Sequence, residues 1–246
     1  MSEHPIAARW RAVREREGRG AARKAAAALI PYLTAGFPTP ELSLDALRRV
    51  AAAGADFVEV GVPFSDPLAD GPTIQRSTQA ALDHGVTVPR VLEQIHQAAL
   101  DIPVIVMTYV NPVLAFGVER FVREAAAAGV SGLLLTDLPA GSDPALEATV
   151  TASPLVLIRL VAPTTTPQRL ECAVRGAGGF IYLISRLGVT GARDEVPADL
   201  AENVARVRAV SPLPVAVGFG ISTPDQARRA AAVADGVVVG SAIVDA

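Results

Sequence analysis

Residues 57–72 read FVEVGVPFSDPLADGP: a short apolar run with a lone carboxylate, Glu59, near its end, then a proline-broken loop that carries Asp70. A run so short and apolar reads as a strand buried on both faces. Ionising a carboxylate inside such a strand costs several kcal/mol unless partners match it, so Glu59 is a candidate for chemistry. The competing reading is a core glutamate neutralised by an arginine or by backbone donors. With a side-chain period of two, Phe57 and Glu59 share one face of the strand, and Val58 and Val60 share the other.

The same kind of run recurs along the chain: LIPYL from Leu29, IPVIVM from Ile102, SGLLLT from Ser131, PLVLIRL from Pro154, GFIYLIS from Gly179, LPVAVGFG from Leu213 and DGVVVG from Asp235. Between the first two strands, Leu44, Leu47, Val50 and Ala51 recur at helical spacing, with Pro38 and Pro40 before them and Gly54 after as stop signals. Eight βα units of continuous Val/Ile/Leu strands in 246 residues predict an α/β fold, a closed (β/α)8 barrel, with an open doubly wound sheet as the alternative. No linker divides the chain, so residues 1–246 are expected to form one domain, with residues 1–28 as a helical extension. Within it, residues 5–27 are expected to be an extra helix over the barrel bottom, with Trp10 packing there. After the eighth strand only Ser241 to Ala246 remain, so the final outer helix is expected to be missing or truncated, or replaced by something else covering that strand.

Composition excludes several classes of function. Half of the residues are hydrophobic, 19% are charged and the formal net charge is -3, which gives no basic excess for nucleic acid or acidic lipid. A small-molecule ligand is the expected partner. The single cysteine, Cys172, cannot form an internal disulfide, and no secretory signal opens the chain, so a cytoplasmic location is expected. No apolar stretch reaches membrane-spanning length uninterrupted. Lys24 is the only lysine and precedes the first strand, which leaves no second candidate for Schiff-base chemistry. His4, His84 and His96 have no second His or Cys at metal-ligand spacing, so no metal site is expected.

Catalytic groups of a barrel come from the C-terminal ends of its strands and the loops beyond them, where Glu59 and Asp70 both fall. Asp70 is either a carboxylate aimed over the pocket or a turn residue capping the helix from Thr73. The loops after strands seven and eight, GFGIS and GSAIV, sit where barrels bind phosphate. There Gly218, Gly220 and Gly240 permit close backbone approach, and Ser222 and Ser241 offer hydroxyls. The sixth loop, RLGVTGAR from Arg186 to Arg193, is either a glycine-hinged lid or an ordinary surface loop.

From roughly Leu29 to Val244 the chain resembles the tryptophan synthase alpha subunit family: PFSDPLADGP is close to a signature, and LIPYLTAG, YLISRLGVTG, GFGIS and GSAIV follow its order and intervals. The resemblance implies a barrel that splits indole-3-glycerol phosphate into indole and glyceraldehyde 3-phosphate by retro-aldol cleavage, with no cofactor. It implies Glu59 as general acid/base and Asp70 as acceptor of the indole N–H. Tyr182 matches the tyrosine beside these acids, and Tyr32, Tyr109, Leu134 and Phe219 match indole-pocket positions, with core packing as the competing role for Leu134 and Phe219. Gly191, Gly220, Gly240 and Ser241 match the phosphate cradle, and Thr190 matches the lid residue that meets the catalytic aspartate. A pyridoxal-phosphate beta subunit in an α2β2 complex is the implied partner, with Pro63, Asp66 and Asn111 at interface positions. Two alternatives remain at this stage: a stand-alone lyase that releases free indole, and a non-catalytic barrel that activates a beta subunit.

Overall fold

The computed structural model describes residues 3–16, 26–184, 199–218 and 220–246. The elements run α1 (Pro5–Glu15), β1 (Ala28–Thr34), α2 (Pro40–Ala52), β2 (Val58–Gly61), α3 (Pro72–Asp83), α4 (Val88–Ala98), β3 (Val104–Thr108), α5 (Val110–Phe116), α6 (Val118–Ala128) and β4 (Val130–Leu135). There follow α7 (Pro144–Thr151), β5 (Val156–Val161), α8 (Pro167–Ala173), β6 (Ile181–Ile184), α9 (Leu200–Val210), β7 (Val215–Gly218), α10 (Pro224–Ala231), β8 (Gly236–Val239) and α11 (Ser241–Val244). The eight strands close in sequence order, with β1 pairing in parallel to both β2 and β8. Each apolar run singled out in the sequence coincides with one strand to within a few residues, and the barrel, not the open sheet, is the fold.

Register explains the double burial. Glu59 of β2 pairs with Tyr32 of β1 and Ile105 of β3, and Tyr182 of β6 pairs with Ala216 of β7, all facing inward. Phe57, Ile105, Leu134, Ile158, Phe180 and Val238 fill the interior with them. Alternate residues such as Val58, Val60, Val106 and Leu133 pack outward against the helices, as the period of two requires. Helix starts follow local chemistry: Thr39 accepts from the Leu42 N–H at 3.3 Å and Pro40 opens α2, so an otherwise orphan donor is satisfied.

The helix before the barrel closes its bottom, as expected. It ends at Glu15, where Arg16 forms an ion pair with buried Asp56, and residues 17–25 lie outside the described set. The Trp10 ring packs tilted at 5.0 Å from Phe57 and edge-on at 5.8 Å from Phe180, both just ahead of their strands, so it is a packing residue. At the other end, α11 has four residues, and Leu29 on the outer face of β1 is left exposed.

Candidate active site

Glu59 sits at the mouth end of β2, facing inward with 1% of its surface exposed. Among the described residues its Oε1 has no hydrogen-bond partner, which in a native interior marks a group waiting for a ligand or a proton transfer. Burial first, and then the charge of Asp70, pushes its carboxyl up to about 8. Among the described residues no arginine or backbone donor neutralises it, which counts against the core-glutamate reading.

Asp70 is held over the same space by its loop. Its N–H bonds to the Pro67 carbonyl at 3.1 Å, and Gln75 Nε2 donates to the Asp70 carbonyl at 2.8 Å. The carboxylate turns away from α3, whose N-cap is Gly71 without a side-chain cap, so Asp70 is not a capping residue. Instead Oδ2 accepts from the Tyr109 hydroxyl at 2.8 Å, and that hydroxyl accepts from the Ala69 N–H at 2.9 Å. Tyr109 thus pins the loop after β2 to the end of β3. Burial raises the Asp70 pKa, and the Tyr109 bond opposes the shift.

Two tyrosines flank the carboxylates, and each needs a glycine. A Cβ on Gly61 would lie 2.0 Å from Tyr32 Oη, and one on Gly218 would lie 2.1 Å from Tyr182 Oη. Each ring therefore leans over a glycine two residues beyond its paired partner on the next strand. Gly218 serves Tyr182 in this way, a correction to its expected role in close approach to phosphate. Burial raises both phenols above their ordinary range, and negative charge at Asp70 and Glu59 adds to it.

These groups line a cavity of about 700 Å³, its open mouth included, with Tyr32, Glu59, Asp70 and Tyr182 toward the interior and Gly220, Ser222, Gly240 and Ser241 among its walls. Gly220 has φ +85, a conformation that favours glycine. Gly240 caps α11 without a side-chain hydrogen bond to its first turn. Ser222 differs from expectation: its N–H and hydroxyl both donate to Gln226 Oε1, at 2.7 and 3.1 Å, within the capping box of α10. Leu134 is fully buried in the barrel interior and does not line the cavity, and Tyr109 stands behind Asp70. Thr190, Gly191 and Phe219, with the sixth loop, lie outside the described residues. Sequence reasoning did not single out Thr73, Ile74, Met107 and Asp245 as lining residues, or Gly61 as the space for Tyr32. Only Gly61 had a signal, standing two residues after Glu59 on the same face.

The sequence profile of the family described as Tryptophan synthase alpha chain matches residues 20–246. The tryptophan synthase alpha chain of Gluconacetobacter diazotrophicus is 50% identical over 220 residues, covering 88% of this chain and 80% of that one. The tryptophan synthase of Saccharomyces cerevisiae is 45% identical over 221 residues, 88% of this chain but 31% of that longer protein. Among solved structures, Mycobacterium tuberculosis tryptophan synthase superposes with a TM-score of 0.89 at 42% identity, over 100% of this chain and 91% of that one. With the closed barrel and the paired acids at its mouth, these matches establish that the chain belongs to the tryptophan synthase alpha chain family.

Proposed function

We propose that Glu59 and Asp70 divide the chemistry of the family's reaction in this cavity, with indole held near Tyr32 and Tyr182 and phosphate at Gly220, Gly240 and Ser241. The chain is a cofactor-independent carbon–carbon lyase of tryptophan biosynthesis that cleaves indole-3-glycerol phosphate to indole and glyceraldehyde 3-phosphate. Breaking that bond requires an electron acceptor, and indole protonated at C3 is one. Glu59, neutral at rest because its carboxyl is pushed up to about 8, gives the proton to C3. The resulting carboxylate then takes the proton of the glycerol hydroxyl as the carbonyl forms, and the electrons of the broken bond return to the ring. Asp70 accepts the indole N–H and stabilises the positive charge that develops there. Environment separates the two roles, since Tyr109 donates to Asp70 while Glu59 Oε1 has no donor among the described residues. That unpartnered, buried Oε1 opposite a glycine/serine wall is the observation that carries the reading.

The partner is a tryptophan synthase beta subunit, in an α2β2 complex, that receives indole. Asp66, Leu68 and Asn111 are exposed on the mouth side, and Leu68 is 88% exposed, while Pro63 is buried beneath them. An apolar side chain so placed supports a docking face there. Among the described residues no helix is long and apolar enough to cross a membrane. We assign the chain to the cytoplasm.

The test is indole release from indole-3-glycerol phosphate by the purified chain, with and without a beta subunit, beside Glu59→Gln. The expected outcome is release stimulated by the partner and reduced about 10²- to 10⁴-fold in the variant. Unchanged release by Glu59→Gln would remove the catalytic assignment, and rates indifferent to the partner would mark a stand-alone lyase.

A further inference from the structure

The walls of the cavity pose an electrostatic problem. Among its described lining residues are three carboxylates, Glu59, Asp70 and Asp245, and no arginine, lysine or histidine. Asp245 immediately follows α11, beside Gly240 and Ser241. Left uncompensated, its charge would repel a phosphate ester entering there.

Compensation comes from the first turns of α3. The Thr73 hydroxyl donates to Asp245 Oδ2 at 2.9 Å, and Arg76 forms an ion pair with Asp245 Oδ1. Thr73 lines the cavity, whereas Arg76 stands behind Asp245 with 63% of its side chain exposed. A pair so exposed contributes little to stability. Nor is it needed to seat α11, because Val244 and Ile74 already share the barrel's apolar cluster. Its remaining effect is on the field at the cavity wall.

We propose that Arg76 is a specificity-determining residue that acts through Asp245, cancelling the carboxylate beside the phosphate end of the cavity so that an anionic ester is accepted there. The inference rests on the assignment of Gly220, Gly240 and Ser241 to phosphate. Asp245 is the positioning group, holding the guanidinium at the wall, and Arg76 itself makes no contact with substrate.

The test measures binding of inorganic phosphate and glycerol 3-phosphate to the full chain, with indole as a neutral probe, for R76Q, D245N and R76Q/D245N. Arg76→Gln should weaken both phosphate probes about tenfold at an ionic strength on the order of 10 mM, and much less near 500 mM. Indole affinity should not change. Asp245→Asn leaves the Arg76 charge uncancelled and should bind the phosphate probes more tightly than wild type. The double variant should lose the defect of R76Q. A clasp that mattered only for shape would instead weaken binding in D245N and leave the double variant as poor as R76Q, and either result overturns the proposal. So does wild-type phosphate affinity in R76Q at low salt. A wild-type chain that binds indole but neither phosphate probe would sink the phosphate assignment itself, a different failure.

Discussion

At the scale of single residues, Glu59 governs the pH response of the fold as well as the proposed chemistry. Its carboxyl is raised from an ordinary 4.5 to about 8 by burial and by Asp70, so the folded state prefers the protonated form. That preference is fully favourable below the unfolded value and is lost as pH rises through the folded one. Wild-type stability should therefore fall between about pH 5 and about pH 8 and level off beyond, and the raised Asp70 adds in the same direction. Glu59→Gln removes the ionisation and keeps the shape. Urea denaturation should find it on the order of 3 kcal/mol more stable than wild type near pH 9, with the gap closing near pH 5. A pH-independent difference would mean that Glu59 is ionised in the fold at neutral pH.

Among the elements, paired strands decide whether the tyrosines fit. Tyr32 on β1 and Tyr182 on β6 reach over Gly61 and Gly218 on their neighbours, so these glycines supply space rather than backbone freedom. Gly61→Ala or Gly218→Ala should each cost about 1 to 3 kcal/mol and lower cleavage at least about tenfold, because a buried ring must move. Shortening Tyr32 to Leu in the Gly61→Ala background should restore stability without restoring activity. Thermal melts with parallel indole assays check both, and a stable, active Gly61→Ala would refute the interlock. Helix α1 shows the same economy at the bottom, where a Cβ on Gly236 would come within 2.8 Å of the Trp10 ring.

Across the whole molecule, the barrel mouth must hold a ligand by two unlike ends, and they can be separated experimentally. Gly220→Asp adds a charge and strains a φ of +85 at the wall proposed to hold phosphate. It should weaken glyceraldehyde 3-phosphate at least about tenfold while leaving indole affinity nearly intact, as titration calorimetry would read. Equal losses for both ligands would mean that the fold had been damaged. The strands were legible in the chain itself, because burial on both faces demands continuous Val, Ile and Leu and leaves Glu59 conspicuous as the one charge in its run. Asp70 was legible as a loop carboxylate, but not its partner, since Tyr109 lies 39 residues away and meets it only through the β2–β3 pairing. The clasp of Arg76 on Asp245 joins residues 169 apart, and no local pattern announces it. The sequence by itself determined the eight strands, the two candidate acids and the glycine-rich loops, because periodicity and desolvation cost are local properties. Only tertiary structure decided which glycine makes room for a ring, which serine spends its donors on a helix cap and which arginine neutralises the wall, because those depend on register and closure of the barrel.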